Sequence, residues 1–224
     1  MRFLITAGPT REPIDPVRYI SNRSSGKMGY AIAEAALAAG HEVTLISGPV
    51  KVDSLRGAHF ISILTSDEMH DAVHRHLRNC DILVMCAAVA DYKPAKVSAQ
   101  KIKRRNEALS LRLIPTRDIL ASLPTRDRRF LVVGFAAETN DLEENAQKKL
   151  RVKNCDIIVA NDVSRADSGM ESDANEVTIF FRNGEKENIS RAPKKNIARA
   201  LVKIFSRFAR KTFDKENVTI TELD

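Results

Sequence analysis

The 224-residue chain has no tryptophan, three cysteines and an aromatic content of 5%. Cys80, Cys86 and Cys155 form no Cys-x-x-Cys pair and lie in apolar stretches. They read as buried free thiols of a reducing cytosol, against a disulfide framework or a thiolate metal site. Long hydrophobic runs are missing too. Ile82 to Ala90 is among the longest and falls far short of the roughly 20 residues that cross a membrane. The start, "MRFLITAG", carries one positive charge and only a brief apolar run, so a secretory signal is not expected. A cytoplasmic protein without a membrane partner follows. The chain contains no Gly-x-Ser-x-Gly, no His-Glu-x-x-His and no Gly-x4-Gly-Lys-Ser/Thr, which removes the motif-bearing hydrolases, zincins and P-loop enzymes. A dinucleotide fingerprint is missing as well: Gly8 is followed by Pro9, and the spacing to Gly26 is wrong. A Rossmann-type reductase is therefore disfavoured.

What is present is a 43% hydrophobic fraction, enough for a packed core, and a net charge of +7. The pI near 9.4 suits an anionic partner, whether nucleotide, nucleic acid or acidic membrane, and charge alone does not choose among them. A basic nucleic-acid-binding module has charge alone in its favour, since the basic segment lacks interleaved aromatics.

Periodicity gives the order of elements. Strands are expected at Arg2 to Ala7, at "HEVTLISG", at "HFISIL" and along the continuous apolar run "CDILVMCAAVA". Further strands are expected at "EALSLRLIP", "RFLVVGFAAE" and "CDIIVAND". Helices are expected from Gly26 to Ala39, from a capping Ser66 to near Asn79, briefly over Asp118 to Leu123, and over Asp141 to Lys153. Alternation of this kind predicts an α/β fold, a doubly wound Rossmann-like and mostly parallel sheet. "NEVTIFFRNGEKENIS" then predicts a late β-hairpin, about 174–190, turning at Asn183-Gly184. A closing amphipathic helix follows Pro193. With no internal repeat or low-complexity linker, residues 1–210 are expected as one domain and 211–224 as a loosely held tail.

Three stretches carry chemistry. The first is the long polar segment between Gly8 and Gly29, which ends in Asn22, Arg23, Ser24, Ser25 and Gly26 just before a helix. A helix N-terminus with small, hydroxylated residues is a ready phosphate seat, and Gly26 and Gly29 permit close approach. An ordinary serine cap explains the same residues, but not so long a polar loop at a strand's carboxyl end. The second is "AAVADYKPAKVSAQKIKRR". Small residues at Ala87-Ala88 let a ligand rest on the backbone, and Asp91 follows on the same sheet edge. Lys101, Lys103, Arg104 and Arg105 fit either a mobile basic flap or a solvated charged strand end. The third is "KKLRVKNCDIIVANDVS". Lys149 and Lys153 share a helix face; they either complement the helix dipole or reach phosphates at the sheet edge. Asn161 and Asp162 end the next strand. His70 and His74 lie one helical turn apart, but no completing ligand is evident, so a solvent-facing helix is expected.

In order along the chain, "ITAGPTREPIDPVRYISNRSSGKMG", "HEVTLISGPV", "CAAVADYKP", "KIKR", "VVGFAAET" and "ANDVS" resemble the bacterial phosphopantothenate–cysteine ligases (phosphopantothenoylcysteine synthetases). These form the second half of the bifunctional flavoprotein of coenzyme A biosynthesis. The resemblance implies an amide ligase that activates 4′-phosphopantothenate with CTP and Mg²⁺ as an acyl-cytidylate, which L-cysteine then attacks. ATP-using relatives leave the base open. By the same resemblance Asn22 converts the acyl-cytidylate to product, its amide donating to the oxygen that gains charge; Arg18 is a functional arginine nearby. Lys101 opens the flap and serves the first half-reaction. Met85, Cys86, Ala87, Asp91, Arg117, Asp118, Ile119, Leu120, Phe135, Lys149 and Lys153 match nucleotide-binding positions, with Arg117 standing where the family usually has proline. Gly8, Ser24, Ser25 and Gly26 fit the phosphate loop, and Ala87 and Ala88 the acyl site. Metal ligands are not assigned. A homodimer with a contact through the late hairpin is implied. No flavin-binding half precedes the ligase motifs, so FMN is not expected. Both a stand-alone ligase and a domain of a fused protein fit.

Overall fold

Arg2–Ala7 (β1) alternates its apolar side chains between two faces, and both faces are buried. Phe3, Ile5 and Ala7 join one core cluster, Leu4 the other. That is the period-2 geometry of a central strand covered on both sides. The computed structural model describes residues 1–53, 55–104, 106–126, 128–138, 141–162 and 172–221, with side chains for all of these except Glu138, Asp162 and 214–221. Arg105, Thr139 of "VVGFAAET", Val163 and Ser164 of "ANDVS" and the last three residues of the expected tail lie outside the described residues.

After β1 come β2 (Arg11–Pro13), β3 (Tyr19–Ser21), α1 (Lys27–Ala38), β4 (Glu42–Ser47), β5 (His59–Ser62) and α2 (Ser66–His76). Next are β6 (Ile82–Met85), β7 (Tyr92–Pro94), β8 (Leu113–Pro115), β9 (Leu131–Glu138) and α3 (Leu142–Val152). The chain continues with β10 (Ile157–Asp162), β11 (Ala174–Phe181), β12 (Lys186–Pro193) and α4 (Lys194–Thr221). An eight-stranded sheet has the order β12-β11-β10-β9-β6-β1-β4-β5. It is parallel from β5 to β10, and the β11–β12 hairpin adds antiparallel to its edge. Residues of α1 and α4 pack into one core cluster, those of α2 and α3 into the other. This is the expected doubly wound sheet. Its order reverses at β1, which opens the crevice where such folds bind ligands.

Four local expectations need correction. The polar segment after β1 is an ordered arm: β2 and β3 pair antiparallel, and Asp15 Oδ1 accepts from Val17 N and Arg18 N, both at 2.8 Å, in the turn between them. Helix α2 is capped by Thr65. Its hydroxyl accepts from Glu68 N at 3.2 Å, while the Glu68 carboxylate accepts from Leu64 N at 2.6 Å. This reciprocal pair satisfies two end donors where Ser66 satisfies none. Asp118 to Leu123 is one capped turn that does not propagate: Asp118 Oδ1 accepts Ala121 N as a helix cap would, and the backbone bonds stop at Ser122 N to Asp118 O and Leu123 N to Leu120 O. Finally, the closing helix is longer than expected: α4 runs to Thr221, and Phe213 packs on the core.

Helix α1 sits so close to β1 that a Cβ on Gly29 would lie 2.6 Å from Ala7 Cβ and 3.2 Å from Thr6 O. Gly29→Ala gains about 1 kcal/mol of helix propensity, and overpacking against backbone costs about 1–3 kcal/mol. We expect a net loss, read as a lower urea midpoint at unchanged slope. A raised midpoint would show that α1 can lift off β1 freely.

Candidate functional site

The site exists because β6 leaves the sheet early. Its pairing with β1 ends at Thr6–Met85 and with β9 at Met85–Gly134, whereas β9 runs on beside β10 to Glu138. Beyond Met85 the ladder is replaced by threonine. The fully buried Thr6 accepts Cys86 N and Ala87 N on Oγ1, each at 3.1 Å. Gly8 O accepts Ala88 N at 2.9 Å, and Ala88 O accepts Thr10 N at 3.3 Å. Thr10 Oγ1 accepts Ala90 N at 3.0 Å. The 86–90 loop is thereby stitched to 6–10 and held away from β9.

The resulting cavity of about 860 Å³ gathers most of the expected residues. Asn22, Ser24, Ser25 and Gly26 form one wall, and Met85, Cys86, Ala87 and Ala88 the floor. Asp91, Arg117, Asp118, Ile119 and Leu120 follow, then Phe135, Lys149 and Lys153. Both lysines reach across the sheet edge: Lys149 Nζ donates to Phe135 O at 2.6 Å, and Lys153 pairs with Asp118. Burial pushes the Asp118 carboxyl up, but Lys153 and Ala121 N hold it below its ordinary value. Arg117 donates to Asp67 at 3.1 Å and to Asp71 at 3.0 Å, bonds that raise its pKa. Burial pushes the Cys86 thiol up to about 12, so at neutral pH it lines the floor as a neutral group.

Gly8, Arg18 and Lys101 do not line the cavity. Gly8 lies beneath Gly26: both have positive φ, 71° and 75°, and a Cβ on either would strike Val50 Cγ1 at under 3 Å. Only glycine fits this crossing. Arg18 and the Lys101 segment meet each other instead, through Asp15, a residue no sequence motif marks. Asp15 Oδ2 accepts Ile102 N at 3.1 Å and pairs with Arg18, and Arg18 donates to Ile102 O at 3.2 Å. Burial raises the Asp15 pKa, yet the donors of Val17, Ile102 and Arg18 outweigh it and hold the group at about 2. Lys101 itself is exposed beside this tether.

Two expected chemistries change on this geometry. The backbone at Ala87 and Ala88 offers no spare N–H, since both are consumed by Thr6 and Gly8. A ligand resting on this backbone finds its N–H groups already taken. Asn22 Nδ2 donates to Ala88 O at 3.1 Å and to Val89 O at 3.2 Å. With both amide hydrogens so placed, the group left for a substrate is the amide oxygen. His70 and His74 are half-buried rather than solvent-facing. Their rings lie 4.4 Å apart, and His74 pairs with Ser122 Oγ at 2.8 Å. Among the described residues no cluster of three or more His, Cys, Asp or Glu forms a metal site.

The DNA/pantothenate metabolism flavoprotein C-terminal domain matches residues 1–208. The coenzyme A biosynthesis bifunctional protein CoaBC of Bacillus subtilis is 44% identical over 213 residues, covering 95% of this chain and 52% of the relative. That of Escherichia coli is 47% identical over 190 residues, covering 83% and 47%. This chain thus spans about half the length of the curated relatives it matches. The crystal structure of the C-terminal domain of a CoaBC protein superposes with a TM-score of 0.79 at 41% identity, covering 95% of this chain and 96% of that one.

Two predictions follow from the tethers. Thr6→Val leaves the Cys86 and Ala87 N–H groups without their acceptor, at about 1–3 kcal/mol each where buried; Thr6→Ser keeps the oxygen. We expect a large drop in thermal midpoint for the valine variant and a small one for serine, and equal drops would assign the effect to packing alone. Asp15 titrates lower in the folded chain than its ordinary 3.8. Its stabilisation is therefore complete above that value and is lost as pH falls towards about 2. The stability gap between the wild type and Asp15→Asn should be constant at neutral pH and close across that acid window. A gap independent of pH down to about 2 would contradict the assignment.

Proposed function

The chain belongs to the DNA/pantothenate metabolism flavoprotein C-terminal domain family, and from that premise we propose that it joins 4′-phosphopantothenate to L-cysteine through an acyl-cytidylate formed with CTP. The observation that carries this is one cavity with the α1 N-terminus on one wall, Lys149 and Lys153 on the other, and Asn22 over the floor between them. In the first half-reaction a carboxylate oxygen of 4′-phosphopantothenate attacks the α-phosphorus. The bond to the bridging oxygen breaks and pyrophosphate leaves. The cysteine amine then attacks the acyl carbon, the C–O bond to CMP breaks, and the amine loses a proton. Ser24, Ser25 and Gly26 at the start of α1 suit the phosphates. Lys101, on a segment tethered to the arm by Asp15, supplies positive charge to the leaving pyrophosphate. The Asn22 amide oxygen suits the N–H of the incoming amine, which becomes positive as it attacks.

Mg²⁺ fits the donor set. An exposed carboxylate, Asp91, lines the cavity, and this cation is typically held by one or two carboxylates plus substrate phosphates. It would neutralise charge on the triphosphate. We also read the chain as a cytoplasmic enzyme and as half of a homodimer. For the dimer contact, the β2–β3 arm and the β7–β8 region are better supported than the late hairpin. Val17, Tyr19, Tyr92, Val97, Leu111 and Leu113 are large and exposed there, whereas the hairpin carries no such residue.

The test is pyrophosphate release with 4′-phosphopantothenate and Mg²⁺, with CTP or ATP, with and without L-cysteine. We expect release with CTP that multiplies on adding cysteine. None with either nucleotide would overturn the proposal, and a preference for ATP would correct the base. Lys101→Gln should lower release by about 100-fold or more, and near-normal release would remove the flap from the chemistry. Asn22→Asp sets a carboxylate against the carbonyls of Ala88 and Val89. It should retain the first half-reaction, accumulate the acyl-cytidylate and lose product formation; full turnover would exclude its role.

A further inference from the structure

The cavity has a second cationic end. Lys27 opens α1, Lys194 opens α4, and both line the cavity together with Asn175 of β11. Because α1 and α4 pack on the same face of the sheet, their first residues meet at its carboxyl edge. Lys149 of α3 and Lys153, the residue that caps its end, come from the opposite face. The two lysine pairs therefore bracket the cavity from both sides.

Lys194 is 7% exposed and Asn175 6%. A lysine this deep in a wall is costly to desolvate, and burial, then the charge of Lys27, pushes its pKa down. Asp173 opposes that shift, but its carboxylate is 90% exposed and bonds Lys27 Nζ at 2.6 Å. Neither α1 nor α4 carries an acidic residue in its first turn, the position where a helix favours negative charge. The residue before α1 is Gly26, with no side-chain cap. The floor beside Lys194 is the neutral Cys86 thiol. Among the described residues, the charged side chains that line this end of the cavity are cationic, and the backbone dipoles of the two helix starts add to them.

We infer that Lys194, Lys27 and Asn175 form an anion subsite that takes a phosphate group of a substrate. The identity of that phosphate rests on the ligase proposal. It is either the terminal phosphates of the nucleotide or the phosphate of 4′-phosphopantothenate, and the two are separable by experiment.

The test uses the full chain and calorimetry, with inorganic pyrophosphate, CTP, CMP and 4′-phosphopantothenate titrated separately. If the subsite holds the nucleotide's terminal phosphates, Lys194→Met weakens pyrophosphate and CTP by about tenfold or more (about 1.4 kcal/mol) and leaves CMP within about twofold. If it holds the other phosphate, the same variant weakens 4′-phosphopantothenate to that extent and spares CTP and pyrophosphate. Lys194→Arg should retain most affinity in either case. Unchanged affinity for all four ligands in a folded Lys194→Met protein would overturn the inference. Should that variant fail to fold by circular dichroism, Lys27→Met, at a half-exposed position, carries the same comparison. Pyrophosphate binding by the wild type that Lys194→Met abolishes supports the subsite even if no turnover is found, so its failure and that of the ligase proposal are told apart.

Discussion

The structure turns on one buried hydroxyl. Thr6 Oγ1 takes the N–H groups of Cys86 and Ala87 at the point where β6 would otherwise have continued its ladder. Without an acceptor there, two donors would be stranded at the edge of a fully covered sheet, which is costly. With it, β6 can leave β9 at Met85 and the crevice predicted by the strand order becomes a cavity. Thr10 repeats the device at Ala90. A strand end that elsewhere would simply fray is here a fixed floor.

The same logic fixes the wall. The β2–β3 arm leads into that wall and is tied to its neighbours by three side chains. Buried Glu12 accepts Ser66 N at 2.8 Å, which anchors the arm to the first turn of α2. Asp15 joins its turn to Ile102 and so to the flap. Asn22 grips the Ala88 and Val89 carbonyls. Charge that looks available in the sequence is partly spent on such ties, as with Arg117 against Asp67 and Asp71. The cavity nevertheless keeps lysines on two faces of one sheet edge, with the Asp91 carboxylate exposed between the loops. This arrangement suits a substrate that carries phosphate and must be held at both ends while its acyl group reacts.

Much of this was legible in the residues. Continuous apolar runs such as Ile82 to Met85 announce a strand covered on both faces, and Asn183-Gly184 announces the hairpin. The long motif ending in Ser24-Ser25-Gly26 announces a segment at the carboxyl edge of the sheet, where these residues line the cavity. Side-chain hydrogen bonding across distant segments was not legible. Thr6 in a strand looks like ordinary β propensity, and nothing local ties it to Cys86. Asp15 before Pro16 signals a turn but not the flap that it holds. Lys194 is one of several basic residues at the start of α4, and only the packing of α4 on α1 makes it a buried wall of the cavity. The amide orientation of Asn22 likewise depends on carbonyls more than sixty residues away.

The most direct test of the account follows atoms through the cavity. With 4′-phosphopantothenate labelled by ¹⁸O at both carboxylate oxygens, CTP, Mg²⁺ and L-cysteine, an acyl-cytidylate requires that one labelled oxygen appear in the phosphate of CMP and the other in the amide carbonyl of the product. Mass spectrometry of the two products reads both. Label in CMP would establish that the cavity joins acyl group and nucleotide. CMP formed without label, with both oxygens retained in the acid, would mean that the cavity binds and cleaves nucleotide but does not make the bond.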